Sequence, residues 1–409
     1  MTGLPQRVSA PASSPRKKTR ILFVLSQLVQ HGSERYLFEI CQALDKERFA
    51  VEVMTRAIFV KHHHYHAKLL ALGVPVHRKL VSRRFFIYPI KRWYRSSARL
   101  RRVIGAAHRT FIKSWYGRFF DPFDVIAVIG IETYCDALSP VLDGNANVVI
   151  HHVNHQFQFE RNYFDECPQR KLVIVDRQQE MEVRNSRMSD ASLYMLPLPM
   201  HLSTRPHLPP PVRVPGEPVR IGVVSRLFRD RPNEPLLRCF GAVLGKTDAV
   251  LYFYGGGDKT QYDALIDELG IREKVIFMGH QEDLEGAIQR DRLSMLWLVS
   301  MGTSISYGSI EVASLGVPMV FWNLSSQSHE EILAATDGAL FAFDNEERFA
   351  AFNVTLLHDL DALRTLGNSL RAYVQREFEI GHNVAALEAY YEGVASIVGP
   401  QVSSGFHGG

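Results

Sequence analysis

Cysteine is scarce in this chain. Its 409 residues include four, Cys41, Cys135, Cys167 and Cys239. They lie far apart and form no Cys-x-x-Cys pair, so neither a zinc site nor a disulfide framework is implied and a reducing cytoplasm fits best. Long apolar runs are missing as well. No stretch approaches the ~20 uninterrupted apolar residues that a membrane-spanning helix needs. Residues 1–18 are rich in Ser, Pro, Arg and Lys without an apolar centre, which reads as a disordered tail and neither a signal peptide nor an anchor; residues 402–409 read as a second loose tail.

Acidic residues are absent from one long segment. Between Val53 and Phe120 there is no Asp or Glu against 16 Lys and Arg, while the rest of the chain carries 31 basic and 43 acidic residues. The net charge of +4 is therefore one patch on an acidic background. Within it, the helical spacing of Arg92 to Ile104 sets Trp93, Leu100 and Ile104 on one face and Arg95, Arg99 and Arg102 on another, with Arg92 at the start. Aromatic residues flank this helix. The segment 78–120 is expected to contact an anionic membrane surface through Arg92, Trp93, Arg95, Arg99 and Arg102, each basic residue contributing on the order of 1 kcal/mol. A domain-packing face with a solvated basic side is the plainer alternative, and nucleic acid is not expected as a partner.

What is present points to an α/β protein. Apolar content of 46% suffices for two cores, and strand-length apolar runs alternate with helical patterns twice over, as in two doubly wound, Rossmann-like domains. The first spans 19–200, starting with a strand at Arg20–Leu25, a turn at His31-Gly32-Ser33 and a helix. Eight prolines between Pro197 and Pro218 mark a stiff connector, 201–218. The second domain is expected over 219–382 and a last helix over 383–400.

Three turns stand out in the second half, each following an apolar strand: Ser225-Arg226-Leu227-Phe228-Arg229-Asp230-Arg231, Gly255-Gly256-Gly257-Asp258, and Glu311-Val312-Ala313-Ser314-Leu315-Gly316-Val317-Pro318, with the hydroxyl-rich Gly302-Thr303-Ser304-Ile305-Ser306 upstream of the last. Cations at a strand end of an open α/β sheet suit a diphosphate. The Gly turn permits close backbone approach, a carboxylate at Glu311 can grip two ribose hydroxyls, and hydroxyls at the start of a helix either cap it or leave its N–H groups to an anion. His62-His63-His64-Tyr65-His66 lacks a nearby acid, and no metal site is expected there.

In order and spacing these motifs carry a resemblance. From about Ile21 to Tyr391 the chain resembles the GT-B glycosyltransferases of glycosyltransferase family 4, the retaining, glycogen-synthase-like group. The resemblance implies two Rossmann-like domains facing a cleft, with the last helix crossing back to the first domain. It implies a pyrophosphate clamp at Arg226 and Arg231, where the family usually has Lys at the second position, and donor contacts from Gly32, Gly255, Gly256, Thr303, Ser304, Ile305, Ser306 and Glu311. A histidine presented to the cleft floor would be His152 or His155. No cofactor or metal is implied.

The resemblance departs at two places. Eight residues before Glu311 the family's glutamate is Thr303, and the usual Gly-Gly turn after the following strand is Asn323-Leu324-Ser325-Ser326. The resulting expectation is a metal-independent transferase, working at the cytoplasmic face of a membrane, that moves a sugar from a nucleoside-diphosphate sugar to a glycan or lipid-linked acceptor with retention. A GT-B sugar-nucleotide epimerase and a catalytically idle sugar-nucleotide-binding partner are the other readings.

Overall fold

The computed structural model describes residues 17–57, 64–81, 98–155, 162–212, 214–227 and 232–397. Two wholly parallel sheets form the molecule. The first contains β1 (Thr19–Val24), β2 (Phe49–Arg56), β3 (Val76–Leu80), β4 (Val125–Ile129), β5 (Val148–His152), β6 (Lys171–Ile174) and β7 (Ser192–Met195) in the order β3-β2-β1-β4-β5-β6-β7. The second contains β8 (Val219–Val224), β9 (Ala249–Tyr254), β10 (Val275–Gly279), β11 (Met295–Ser300), β12 (Met319–Asn323) and β13 (Phe341–Phe343) in the order β10-β9-β8-β11-β12-β13. Helices cover the faces, so central strands are apolar throughout: every residue of Val125–Ile129 is buried. The α/β, two-sheet architecture is the one the alternating pattern leads one to expect.

Strand β3 was not anticipated. Its sequence Val-His-Arg-Lys-Leu reads as a charged loop, yet it pairs with β2 as the edge of the sheet, where polar side chains have solvent on one side.

Strand order reverses between β1 and β4 and again between β8 and β11. These are the switch points at which loops beyond the strand ends diverge and leave a crevice. The loops in question carry His31–Ser33 after β1, Ser225–Leu227 after β8 and Met301–Ser306 after β11.

The chain passes between the lobes twice, side by side: Met200 N donates to Phe378 O at 2.9 Å, and Met200 bridges Glu379. After the second crossing, helix Ile380–Ile397 lies on the first lobe. Tyr391 Oη contacts His151 Nε2 at 2.8 Å, Arg48 reaches Glu388 at 2.6 Å and Glu392 at 2.8 Å, and Tyr390 stacks on Tyr194 at 4.4 Å. The connector is sewn to the second lobe through Leu208 N to Leu315 O at 2.7 Å and Arg205 to Asp283 at 2.9 Å. One apolar cluster accordingly runs through both lobes, from Phe23 and Tyr36 to Tyr307, Phe321 and Tyr391.

Candidate functional site between the lobes

The turns of the second lobe converge because glycine lets their backbones touch. Leu227 N donates to Gly256 O at 2.9 Å, and Asp258 N donates to Leu227 O at 3.1 Å. Gly255 (φ 155°) and Gly257 (φ 135°) lie in the region that favours glycine, and a Cβ on either would collide with the carbonyl of Ser225 or Leu227. The missing side chains of these two glycines thus make room for the neighbouring turn. Gly256 has only the His280 Cβ at 3.7 Å. Helix Tyr307–Ser314 joins them: a Cβ on Gly308 would come within 2.9 Å of Val224, the last residue of β8.

This helix starts at Ser306, whose hydroxyl accepts from Ser309 N at 3.4 Å. The preceding turn is held from β12. Asn323 Oδ1 accepts from Gly302 N at 3.3 Å and from Ser325 N at 2.9 Å, and Asn323 Nδ2 donates to Gln327 O at 2.8 Å. The Asn-Leu-Ser-Ser stretch that replaces a Gly-Gly turn is therefore a built brace. Thr303, Ser304 and Ile305 line a cavity of about 310 Å³, closed from the first lobe by Asp176, Arg177 and Met195 and from behind by Tyr373, Glu377 and Phe378.

The first lobe approaches through the turn after β1. Gly32 opens helix Gly32–Ala43, and a Cβ there would lie 4.0 Å from the Tyr307 ring across the interface. Glu34 is buried and accepts from Ser33 Oγ at 2.7 Å. Burial pushes its carboxyl above the usual range, while Ser33 and the Arg226 guanidinium of the opposite lobe act to lower it. Its neighbour Arg35 crosses the interface: Nη1 donates to Glu311 Oε2 at 2.9 Å, and the guanidinium lies 5.1 Å from the Tyr307 ring centroid.

Three histidines at the end of β5 have three fates. His151 is fully buried between Tyr36 Oη and Tyr391 Oη, each at 2.8 Å, and desolvation lowers its pKa to about 3. His152 points into the first lobe, edge-on to Phe164 at 4.9 Å, with Nε2 3.8 Å from Glu182; burial lowers its pKa. Only His155 reaches the second lobe, its Nε2 lying 3.1 Å from Ser304 Oγ and 3.4 Å from Asp176 Oδ2 while Nδ1 lies 3.2 Å from Glu182 Oε1. With acceptors at both ring nitrogens the imidazolium is favoured. Burial opposes that charge, but Asp176 and Glu182 outweigh it and raise the pKa to about 9.

Arg226 is half-buried at the end of β8, and Arg231 lies outside the described residues, as do Arg92, Trp93, Arg95, His62 and His63. The basic helix runs Ala98–Tyr116 and buries His108, Ile112 and Tyr116. Its exposed surface carries Arg99, Arg102, Arg109 and Lys113 beside Val103, Phe111 and Trp115, the last two stacked at 5.7 Å. Of the apolar face expected at Trp93, Leu100 and Ile104, only the Ile104 side chain falls among those described, and it is half-buried. Among the described residues no helix is long and apolar enough to cross a membrane.

Sequence reasoning missed Arg35, Asp176 and Glu182. Nothing local marks the last two, since each sits beyond a turn from His155 and meets it only in the fold. Arg35, next to the noted His-Gly-Ser-Glu turn, was within reach.

Comparison with known structures settles the architecture. Sucrose-phosphate synthase from Thermosynechococcus elongatus superposes with a TM-score of 0.66 at 15% identity, covering 93% of this chain and 100% of the other. The fold is GT-B. Anabaena HepE in complex with UDP-glucose shares this GT-B arrangement (TM-score 0.60, 13% identity, 91% and 99% covered), as does the lipopolysaccharide outer core galactosyltransferase WaaB in its apo form (0.62, 15%, 91% and 100%). Residues 218–359, the stretch that holds β8 to β13, match the family model Glycosyl transferases group 1. No curated protein sequence matches the chain.

Proposed function

We propose that this protein is a glycosyltransferase that moves a sugar from a nucleoside-diphosphate sugar to a hydroxyl of a lipid-linked or membrane-associated glycan, with retention and without a metal or cofactor. The observation that carries this reading is the meeting of the Arg226 turn, the Gly255–Gly257 turn and the Thr303–Glu311 segment at a switch point, in the stretch that matches a glycosyltransferase family. A leaving diphosphate develops negative charge as the glycosidic bond breaks. Arg226, Arg231, the His155 imidazolium and the backbone N–H groups at the start of helix Tyr307–Ser314 supply positive potential for it. Glu311 takes the ribose, and Gly32 brings the first lobe to the donor. The departing phosphate oxygen accepts the acceptor's proton on the same face, so no pair of carboxylates at glycosidase spacing is required. Closure about the paired crossings at Met200 and Glu379 excludes water and protects the donor from hydrolysis.

The exposed Arg and aromatic surface of helix Ala98–Tyr116 supports docking on an anionic membrane at its cytoplasmic face, where a lipid-linked acceptor would be met. HepE bound UDP-glucose and WaaB acts on lipopolysaccharide outer core, which makes UDP-glucose a sensible first probe and a lipid-linked glycan a sensible acceptor. Thr303 in place of a sugar-reading acid favours a second reading, a nucleotide-sugar-binding partner without turnover. Calorimetry with UDP-glucose in EDTA, followed by UDP release in the presence of lipid-linked glycans and anomeric analysis of the product by NMR, separates the two. Failure to bind any nucleoside-diphosphate sugar would refute both.

A further inference from the structure

We infer that Arg35, which belongs to the first lobe, is a positioning residue for pentose recognition by Glu311 in the second. The inference rests on the nucleotide-sugar reading above and adds to it a group contributed from across the cleft.

The geometry is specific. Arg35 Nη1 engages Glu311 Oε2 at 2.9 Å, while Glu311 Oε1 takes no hydrogen bond from the described residues and the side chain stays 23% exposed. One carboxylate oxygen is thus fixed and the other is left to accept. Arg35 is itself held on every side. Its Nε meets Glu39 Oε1 at 3.3 Å, its plane lies over Tyr307, and Glu39 accepts from His201 Nδ1 at 2.6 Å and from His201 N at 3.2 Å. Tyr307 donates to Pro199 O at 3.1 Å. Helix Gly32–Ala43 and helix Tyr307–Ser314 therefore meet at one guanidinium, and the segment Pro199–His201 holds its neighbours Tyr307 and Glu39.

Two consequences follow from the chemistry. A guanidinium hydrogen-bonded to one carboxylate oxygen fixes the plane in which the second oxygen presents lone pairs, which prepares it for a ribose hydroxyl. Because Arg35 comes from the opposite lobe, it reaches Glu311 only when the lobes are together. Ribose recognition and lobe closure are therefore linked, and each must favour the other to the same extent. A mere strut between lobes would behave differently. It would affect all ligands of the cleft alike, whether or not they carry a pentose.

The test is calorimetric, with UDP and inorganic pyrophosphate titrated into the full chain and into Arg35→Ala, Arg35→Lys, Glu311→Gln and the Arg35→Ala/Glu311→Gln double variant. Arg35→Ala should weaken UDP about tenfold and leave pyrophosphate within a factor of about two. Arg35→Lys should recover part of the loss, and the double variant should bind UDP no more weakly than Glu311→Gln alone. Retained pyrophosphate binding shows that each variant is folded. Equal UDP affinity in wild type and Arg35→Ala overturns the inference, as does an equal loss of UDP and pyrophosphate. A wild-type protein that binds pyrophosphate but not UDP removes the nucleotide reading itself, and Arg35's role with it.

Discussion

At the scale of single residues, side chains in this cleft act through the backbone that carries them. Gly255 and Gly257 allow the turn after β9 to lie against Ser225–Leu227, which places Arg226 where the proposed diphosphate clamp needs it. Arg226→Ala should cost roughly 2 to 4 kcal/mol of transition-state stabilisation, the scale of losing one oxyanion donor, read as kcat/KM for the donor; unchanged turnover would exclude a clamp. Gly255→Ala should do comparable damage without touching a charge, because its Cβ cannot coexist with the Ser225 carbonyl; the check is loss of UDP affinity with circular dichroism preserved. That Arg226 and the glycines follow the ends of successive strands was legible in the sequence. Arg35 was not read as functional, since an arginine one turn into a helix looks like any solvated cation until its partner 276 residues away is known.

Among the elements, the β5 end and the last helix show how three histidines within five residues are given different work. Strand alternation sends His151 and His152 to opposite faces of the sheet, where Tyr36 and Tyr391 take one and Phe164 the other, and His155 follows beyond the strand end. Tyr391→Phe leaves a fully buried ring nitrogen without its partner and should lower stability by about 1 to 3 kcal/mol, measurable as a lower urea midpoint. That strands alternate with helices was plain from the apolar runs, and β8 coincides with the run Val219–Val224. The exception, β3, gains its place from pairing with β2 and offers no run of its own.

For the whole molecule, charge sets both the contact between lobes and the contact with surroundings. His155, raised to about 9, is protonated more readily in the fold than in the unfolded chain, so its contribution is complete below about pH 6.5 and is lost as pH rises through 9. Thermal melts between pH 7 and 10 should therefore show a decline of at most about 3 kcal/mol that His155→Gln abolishes; parallel curves for the two proteins would exclude the ion cluster. The cationic helix Ala98–Tyr116 predicts flotation with anionic liposomes that is released as salt rises past the point where the Debye length falls below ~8 Å. Lipid-charge independence would point instead to a solvated face. The asymmetry of charge and the aromatic residues beside it were visible in the sequence, but which of them stay outside was not: Tyr116 is taken by the core with His108 and Ile112, while Phe111 and Trp115 are left exposed.

Periodicity, turn glycines and the run of prolines determined by themselves that two parallel α/β lobes form, because those signals are local and each strand or turn needs only its own residues to declare itself. Which carboxylate pairs with which cation was decided by tertiary structure alone. Arg35 with Glu311 and His155 with Ser304 meet only across the two lobes, His151 with Tyr391 only through the return of the last helix, and His155 with Asp176 and Glu182 and His151 with Tyr36 only through the packing of the first lobe.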